Sequence, residues 1–593
     1  MILVFGGTTE GRKAVEVLEA AGKPFYYSTK TGEQALVLHH GVAIDGAKDF
    51  VAMRQFCLEN DIHLLIDAAH PFASTLHSSI ANVAKSMNLP VIRYDRIYPP
   101  RDPDILWIDD YSQVPTNIHS LLATTGVQSI NKLKPLEAKG IKVYYRILMR
   151  ESSIQLARAQ GADEDRLCYY EDGHTIDIDA EAILLKESGE SGGFSEKVKA
   201  AREKGMKIIA LKRPPINFQF SARPPVASTL RRIFNFQLVN GPHGLRRAVE
   251  QLLPDFFPLK SGLTTGTCAT AAIIAAVRHL LTGEEATSVA VRLTNGESLN
   301  VPVGFDNGIA FCIKDFSDDP DVTRGCKIFA KVEPSFPSRE EGAESGSCIR
   351  FLQGEGVGRV TLPGLGIPVG EPAINPVPRQ MMTAAVRELT DQDLDITLSV
   401  ENGRELAERT FNARVGVVDG ISIIGTSGIV LPLSHDAFIE SIGRELQVAR
   451  AIGCDAIGLA SGKLGEEALL AQEPNLRVIH YGNFIGAALE KAHALGFRRA
   501  VLGIMIGKAV KLAEGHLDTH SHKVLMNKNF LAEVATSAGV ADAATKMESI
   551  TMARELWELM PPAFFEQIKA LCLQHCRTVF PTGTLDIQLV KNE

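Results

Sequence analysis

The sequence has no long apolar run, no excess of basic residues and no cysteine framework. Its 593 residues include 62 Lys and Arg against 70 Asp and Glu, a net charge of −8, and nine scattered cysteines. A membrane-spanning helix needs about 20 consecutive apolar residues, nucleic-acid binders are usually basic, and a dispersed, odd set of cysteines is typical of reduced thiols. The first apolar segment ends at Phe5 with no basic residues before it, which predicts a strand rather than a signal peptide. We therefore expect a cytoplasmic protein with neither a membrane nor a nucleic acid as partner.

Apolar strand patterns alternate with helical patterns through the first 215 residues. A strand at 2–5 precedes a helix at 10–21, and further strands are predicted at 25–28, 63–67, 142–146, 181–186 and 207–211. Such alternation is typical of parallel sheets covered by helices on both faces. A segment rich in Pro and Asp at 99–115 predicts the crossing between two lobes. The expected fold class is α/β, with a pair of Rossmann-like lobes.

The chain is too long for a single hydrophobic core, and its character changes near residue 260. We assign residues 1–240 to the pair of lobes. Residues 241–259, which hold a short helical pattern followed by Pro254 and Pro258, are assigned to a linker. Long Gly-rich loops and then a late α/β pattern from about residue 412 follow, so 260–593 is expected to be an α+β plus α/β unit.

A glycine-rich turn joins the first predicted strand to the first predicted helix. Its sequence is Gly6-Gly7-Thr8-Thr9-Glu10-Gly11, and N–H groups at the start of a helix favour an anion such as a phosphate. Thr8 stands where the dinucleotide-binding fingerprint has its middle glycine. On these residues alone, a nucleotide site and a turn without a ligand are equally well supported.

Several motifs at the predicted strand ends resemble the precorrin-6A reductase family. Besides the opening eleven residues they are Asp67-Ala68-Ala69-His70-Pro71-Phe72-Ala73, Thr124-Thr125-Gly126 and Lys186-Glu187-Ser188-Gly189. The resemblance covers about 1–215 and implies reduction of a corrin precursor by hydride transfer from a nicotinamide cofactor. The cofactor-binding residues that follow from it are Gly6, Gly7, Thr8, Thr9, Glu10 and Lys30. Because Lys30 follows the second strand and no acid ends that strand, NADPH is favoured over NADH.

The corrin precursor carries many carboxylates, so basic and hydroxyl side chains of the cleft are expected to bind it. We assign substrate binding to Arg146, Lys186 and Ser188, and the role of proton donor to His70. The alternatives are solvated surface charges and, for His70, a histidine that only forms a hydrogen bond within its own loop.

The second half opens with small and hydroxylated residues ahead of an Ala-rich helical pattern. Thr264 and Thr265 stand at this helix start, where they suit an anionic group; a threonine-capped helix packed through small residues is the alternative. Four acids at 315–321 lack EF-hand spacing, and we interpret them as an organising loop. Three prolines within 370–379 predict a rigid loop that is neither helix nor strand interior.

Four segments of this half resemble the cobalt-precorrin-5B C1-methyltransferase family of anaerobic cobalamin synthesis. They are 314–323, 370–379, 420–430 and 482–486, and the resemblance covers about 260–593. It implies methyl transfer from S-adenosyl-L-methionine. The cofactor residues would be Gly425, Thr426, Gly482, Asn483 and Gly486; the substrate residues would be Thr264, Thr265, Asn375 and Arg379. His520 is the candidate proton acceptor, and a structural histidine that orients its neighbours is the alternative.

The two resemblances predict a bifunctional enzyme of corrin-ring synthesis. The C-terminal half is expected to methylate carbon 1 of cobalt-precorrin-5B, and the N-terminal half to reduce the resulting cobalt-precorrin-6A to cobalt-precorrin-6B. The partners are then small corrinoid molecules, and no resident metal is expected because the cobalt arrives inside the substrate. Two alternatives stay open: one half is only a binding or scaffold module, or the chain is an α/β regulator that senses a nucleotide.

Overall fold

The computed structural model describes residues 1–593 except Thr31, 33–35, Ala47, 171–177, 216–235, 336–347, Leu433, 521–523 and 592–593. These residues form two compact units. The first contains Met1–Lys260 and Asn295–Leu299, and the second contains Ser261–Thr294 and Asn300–Glu593. Among the described residues, no helix combines the length and the apolar character that crossing a membrane requires.

Two six-stranded parallel sheets form the first unit. The strands are β1 (Ile2–Phe5), β2 (Phe25–Thr29), β3 (Gly41–Asp45), β4 (Leu64–Asp67), β5 (Val91–Tyr94), β6 (Leu106–Ile108), β7 (Ser120–Ala123), β8 (Lys142–Leu148), β9 (Leu167–Tyr170), β10 (Ala182–Lys186), β11 (Lys207–Leu211) and β12 (Phe236–Val239). The first sheet has the order β12-β5-β4-β1-β2-β3 and the second the order β6-β11-β10-β7-β8-β9. The first order is that of dinucleotide-binding folds, and the predicted pair of Rossmann-like lobes is confirmed.

Helices connect these strands. They are α1 (Thr9–Glu19), α2 (Phe50–Glu59), α3 (Ser74–Met87), α4 (Ile130–Glu137), α5 (Glu151–Ala159), α6 (Phe194–Glu203) and α7 (Pro242–Leu252). Every residue of β1 is buried, and α1 packs against it with a stripe of apolar residues at Ala14, Val15 and Leu18. This spacing of one helical turn is why the segment folds as an amphipathic helix.

The predicted linker is instead part of the first lobe. β12 pairs with β5, and α7 buries Leu245, Ala248 and Val249 in the same core as β1 and β4. Phe256 and Phe257 of the predicted linker lie in that core as well. A solvent-exposed linker would not bury so many apolar side chains. Residues 241–259 are therefore corrected from a linker to a packed element of the first unit.

The strands that follow in the chain are β13 (Gly262–Leu263), β14 (Ser288–Arg292), β15 (Ser298–Pro302), β16 (Gly304–Asp306), β17 (Ile309–Ile313), β18 (Lys327–Pro334), β19 (Ile349–Gln353), β20 (Arg359–Val360), β21 (Leu394–Val400), β22 (Val417–Val418), β23 (Ile429–Val430), β24 (Ala456–Ala460), β25 (Val478–His480), β26 (Arg499–Met505) and β27 (Thr584–Val590). A five-stranded mixed sheet has the order β16-β17-β18-β21-β19. A four-stranded parallel sheet has the order β25-β24-β26-β27. The expected α+β part followed by an α/β part is confirmed.

The helices of the second unit are α8 (Thr265–Thr282), α9 (Pro376–Arg387), α10 (Gly403–Ala407), α11 (His435–Ala451), α12 (Lys463–Gln472), α13 (Ile485–Ala494), α14 (Ile506–Ala513), α15 (Lys528–Ser537), α16 (Ala543–Ser549), α17 (Leu556–Leu559) and α18 (Pro562–Cys576). Short 3-10 turns lie at Tyr111–Gln113, Val127–Ser129, Glu164–Arg166, Glu190–Gly192, Asn412–Val415 and Ala553–Glu555. The Ala-rich pattern becomes α8, which is buried from Thr265 to Val277.

The loop predicted at 370–379 ends earlier than expected. Pro376 is the first residue of α9, and Arg379 lies within its first turn. The first turn of a helix needs no intrahelical N–H donor, so proline is tolerated there. The loop prediction is therefore corrected at 376–379, and Arg379 projects from a helix rather than from a loop.

Candidate active sites

The glycine-rich turn lies where the strand order of the first sheet reverses. β1 and β4 are neighbours there, and such switch points at the carboxyl ends of parallel strands bind ligands in α/β folds. Thr8 caps α1: its hydroxyl accepts from the Gly11 N–H at 3.0 Å and donates to the Ala68 carbonyl at 2.7 Å. The hydroxyl thus ties the turn after β1 to the loop after β4.

Tyr27 of β2 fills the inside of this turn. Its hydroxyl accepts a hydrogen bond from the Gly7 N–H at 3.0 Å. A Cβ atom at Gly6 would lie 2.1 Å from that hydroxyl oxygen, and one at Gly11 would lie 2.6 Å from it. The two glycines are therefore required by Tyr27 itself. The start of α1, at Thr9, is left as the part of the turn that can receive a phosphate.

Glu10, predicted to bind the cofactor, connects the two lobes. Its carboxylate lies 2.9 Å from the Arg96 Nε and accepts from the Ser191 hydroxyl, and Arg96 donates to the Ser188 carbonyl at 2.7 Å. Burial raises the pKa of Glu10, but the Arg96 charge and the Ser191 hydrogen bond outweigh it and lower the pKa. The carboxylate is thus an anion that holds the loop at Ser188 through Arg96. Sequence reasoning missed Arg96, whose acid partner is 86 residues away.

His70 lies in a buried network after β4. Asp67 forms an ion pair with Arg93 at 2.8 Å and a hydrogen bond with the His77 Nδ1 at 2.7 Å, and His77 Nε2 lies 3.0 Å from the His70 carbonyl oxygen. The His70 Nδ1 accepts from the Phe72 N–H at 3.2 Å, which leaves its Nε2 as the protonated nitrogen. Burial and then nearby positive charges lower the pKa of His70 to about 3. The ring is therefore neutral at neutral pH.

The basic residues assigned to the substrate gather at the carboxyl ends of the second sheet. Lys186 ends β10, beside the Phe72 ring at 5.1 Å, and burial followed by the charge of Lys132 lowers its pKa to about 8. Arg146, on β8, is buried and lies over the Tyr170 ring at 4.4 Å. Burial, Arg146 and Arg96 lower the pKa of Lys197. Positive charge thus acts on both lysines, from Lys132 on Lys186 and from Arg146 and Arg96 on Lys197, so an anion fits this region.

Two further residues predicted from the sequence, Ser188 and Lys30, lie in the first unit. Ser188 is buried and its hydroxyl donates to the Gly192 carbonyl at 3.2 Å. Lys30 is exposed directly after β2, and the hydroxyl of Thr29 donates to Asp45 at 3.1 Å. Lys30 keeps its predicted position at the end of the second strand, where dinucleotide-binding folds contact the ribose.

In the second unit, the start of α8 holds the segment 422–428. Thr264 caps the helix by accepting from the Thr267 N–H at 3.2 Å. Thr265 accepts from the Ile424 N–H at 2.8 Å. Gly425 has φ +141, and a Cβ there would lie 2.3 Å from the Thr264 hydroxyl. Both threonine hydroxyls therefore have partners within the protein, which favours the capped-helix alternative, while Thr426 is exposed beside them.

Arg379 borders a cavity of about 510 Å³. Its guanidinium is about one third exposed, lies 5.3 Å from the Phe351 ring and is 3.5 Å from Glu371. Asn375 caps α9 by position, without a side-chain cap bond, and its N–H donates to the Ile423 carbonyl at 3.0 Å. The weak acid contact leaves Arg379 able to pair with a carboxylate in the cavity.

The acids at 315–321 organise their loop. Asp321 pairs with the buried Lys314 at 2.6 Å and accepts from Thr323, and Asp315 accepts from the Leu263 N–H at 2.7 Å. Across the described ranges, no group of three or more His, Cys, Asp or Glu side chains is placed to hold a metal ion.

The remaining candidates lie at the carboxyl end of the four-stranded sheet. The segment from Gly482 to Gly486 follows β25 and pairs with 517–519: Thr519 N–H donates to the Asn483 carbonyl at 3.0 Å and Gly486 N–H to the Leu517 carbonyl at 3.0 Å. The His520 ring lies 5.9 Å from the His435 ring. His435, at the start of α11, was missed because nothing in the sequence connects it with 520.

Comparisons with known proteins match the N-terminal and C-terminal parts of the chain to two different families. Residues 1–236 match the family model "Precorrin-6x reductase CbiJ/CobK", and residues 254–432 match the model "CbiD". A cobalt-precorrin-5B C(1)-methyltransferase of Prosthecochloris aestuarii is 41% identical over 351 residues, which are 56% of this chain and 94% of the relative. One from Burkholderia cenocepacia is 43% identical over 298 residues, 48% of this chain and 80% of the relative.

Two solved structures are also similar. The crystal structure of the cobalamin biosynthesis protein cbiD from Archaeoglobus fulgidus is 27% identical, with 45% of this chain and 83% of that one covered and a TM-score of 0.25. A CobK precorrin-6A reductase structure is 16% identical, with 42% and 96% covered and a TM-score of 0.33. On its sequence matches, the chain belongs to the cobalt-precorrin-5B C(1)-methyltransferase family through its C-terminal part, and its N-terminal region matches the precorrin-6x reductase family model.

Proposed function

We propose that the chain catalyses two reactions of corrin-ring synthesis. The C-terminal part transfers the methyl group of S-adenosyl-L-methionine to carbon 1 of cobalt-precorrin-5B, which gives cobalt-precorrin-6A. The N-terminal part reduces cobalt-precorrin-6A to cobalt-precorrin-6B with a hydride from NADPH and a proton. The membership of the two regions in methyltransferase and reductase families supports this assignment.

The basic cluster of the second sheet is the observation that carries the reductase assignment. Lys186 ends β10, Arg146 lies near the end of β8 and Lys197 lies on α6; burial, and then the charges of Arg146 and Arg96, lower the pKa of Lys197. A group of cations at one sheet edge favours an anionic ligand. A corrin precursor, with many carboxylates on a flat ring, supplies the matching charge.

In the reductase, residues of the first sheet are assigned to the cofactor and residues of the second sheet to the substrate. The bound nicotinamide supplies the hydride, and the start of α1 fits its phosphates because helix N-termini attract anions. The Glu10–Arg96–Ser188 connection fixes the substrate loop relative to the glycine turn. His70 lies beside Lys186, so substrate carboxylates that neutralise these charges raise its pKa and allow it to hold the proton that follows the hydride.

The predicted cofactor residues of the methyltransferase lie on two loops. Gly425 and Thr426 lie on the segment held by α8, and Gly482, Asn483 and Gly486 lie on the loop after β25. We assign both segments to S-adenosyl-L-methionine, which supplies an electrophilic methyl group when bound. Arg379 binds a substrate carboxylate at its cavity. His520 accepts the proton that the substrate releases when its carbon 1 is methylated.

The test is a coupled assay with the intact chain. Cobalt-precorrin-5B and S-adenosyl-L-methionine alone should give a product heavier by one methylene group, and addition of NADPH should add two hydrogens. Comparison of NADPH with NADH tests the role of Lys30. A chain that performs one step and not the other would support the scaffold alternative for the silent half.

Lys186 makes the reductase sensitive to pH. Its pKa is about 8 in the absence of substrate, so it is charged below that pH and neutral above it. Substrate binding should weaken as the pH rises through about 8, because the anion loses its partner. The Lys186→Arg variant should keep its affinity over the same range, since arginine stays protonated. Equal pH dependence of the substrate KM in both proteins would contradict the assignment.

Arg379 is expected to contribute one charge-assisted contact to corrinoid binding. Arg379→Ala should weaken that binding by roughly 1.5–3 kcal/mol, the usual loss for a hydrogen bond to a charged group. The exposed Arg409 of the same unit offers a matched control, and Arg409→Ala should leave affinity unchanged. Titration of the intact chain with the corrinoid measures the affinity of both variants. If Arg379→Ala binds the corrinoid as tightly as the wild type does, Arg379 has no role in substrate binding.

A further inference from the structure

Two lysines of α14 connect the loops that surround the predicted cofactor residues of the second unit. Lys508 Nζ donates to the Gly482 carbonyl, and Lys511 Nζ donates to the Thr519 carbonyl at 3.3 Å. Gly482 and Thr519 belong to the two paired segments, since Phe484 and Asp518 form an isolated β-bridge. The two lysines, one helical turn apart, therefore contact the same pair of segments.

The positive charges of these lysines have no ion-pair partner in the part of the chain that the structure describes. Among the described residues, no carboxylate forms an ion pair with either ammonium group. Burial, and then the charge of Lys511, lowers the pKa of Lys508 to about 8, and burial lowers the pKa of Lys511. An ammonium group has three donors, so one carbonyl contact leaves each lysine with hydrogen atoms for a further acceptor.

The position of the lysines is that of a ligand site. α14 follows β26, and Gly482 follows β25; both strands end at the same edge of the parallel sheet. Ligands of open α/β sheets bind outside these carboxyl ends. Lys508 lies in the first turn of α14, whose start has no side-chain cap, so the helix dipole adds to the attraction for an anion at Lys508.

We propose that Lys508 and Lys511 form a carboxylate-binding site of the methyltransferase unit. The inference rests on the proposed function, which brings two carboxylate sources to this unit: the amino-acid end of S-adenosyl-L-methionine and the side chains of the corrinoid. Both sources share the same chemistry, a carboxylate held by two ammonium groups, and the experiment distinguishes them.

The experiment replaces each lysine by glutamine in the intact chain. Lys508→Gln and Lys511→Gln remove the charge but keep a donor for the carbonyls of Gly482 and Thr519, so a purely structural role survives. Lys508→Arg keeps the charge, and Lys546→Ala, at an exposed lysine of α16, is the matched control. Calorimetry measures binding of S-adenosylhomocysteine and of 5′-methylthioadenosine, which lacks the amino-acid end. The corrinoid KM is measured in parallel.

The wild-type chain should prefer S-adenosylhomocysteine if the lysines hold the amino-acid carboxylate. The glutamine variants should then lose about 10- to 100-fold in affinity for it, with 5′-methylthioadenosine unaffected. A rise of similar size in the corrinoid KM, with unchanged S-adenosylhomocysteine affinity, would assign the site to the corrinoid.

Folded glutamine variants that match the wild type with all three ligands would overturn the proposal. If Lys508→Gln fails to fold, Lys511→Gln, at the less buried position, decides alone. A wild-type chain that binds neither S-adenosylhomocysteine nor the corrinoid would instead refute the proposed function, so the two failures are distinct.

Discussion

Gly6→Val is expected to abolish the reductase reaction and to leave methyl transfer intact. A side chain at Gly6 meets the Tyr27 hydroxyl at 2.1 Å and the Tyr27 ring at 2.3 Å. Atoms never approach so closely, so either the ring or the turn must move, and the start of α1 moves with the turn. The methyltransferase residues lie in the other compact unit, which has its own core. The measurement is nicotinamide binding and both activities of the intact variant.

A pair of companion variants separates two reasons for the glycine. Tyr27→Ala removes the ring that Gly6 accommodates, and the double variant Gly6→Ala with Tyr27→Ala leaves room for a Cβ. Recovery of thermal stability without nicotinamide binding would show that the cofactor also needs the bare backbone at Gly6. Recovery of both would show that the glycine serves Tyr27 alone. Unchanged nicotinamide binding by Gly6→Val itself would falsify the cofactor assignment.

The local elements of the first unit were predictable because each is determined by a short stretch of sequence. The four apolar residues of β1 and the glycine-rich turn that follows them give β1 and α1 within a few residues of their observed bounds. The linker prediction failed at 241–259 for the opposite reason. α7 packs against α1 and β5, which lie more than 100 residues earlier in the chain, and no local pattern reveals such partners.

The candidate sites show the same division between local and distant information. The glycine turn and the basic residues at strand ends were visible as motifs, since strand ends and helix starts are local features. The partners of those residues were not: Tyr27 inside the turn and Arg96 on Glu10 come from other elements. At 376–379 the error was different, because a proline pair that excludes a helix interior is compatible with a helix start.

His520→Ala is expected to lower the rate of methyl transfer by about 100-fold if His520 is a general base. Its backbone N–H is held by Asp518 at 3.2 Å, and its ring lies near His435, so the ring has a defined place beside the loop at Asn483. Removal of the imidazole should affect the chemical step and leave the affinity for S-adenosylhomocysteine unchanged. His516→Ala, at a half-buried histidine of the same unit, is the matched control.

A glutamine variant separates a base from a structural histidine. A base must take a proton from the substrate during the reaction, and an amide side chain cannot do so. His520→Gln keeps a hydrogen-bonding side chain but cannot accept a proton, so it should be as slow as the alanine variant. If glutamine instead restores the rate, His520 orients the loop, and the proton acceptor must be sought elsewhere, beginning with His435.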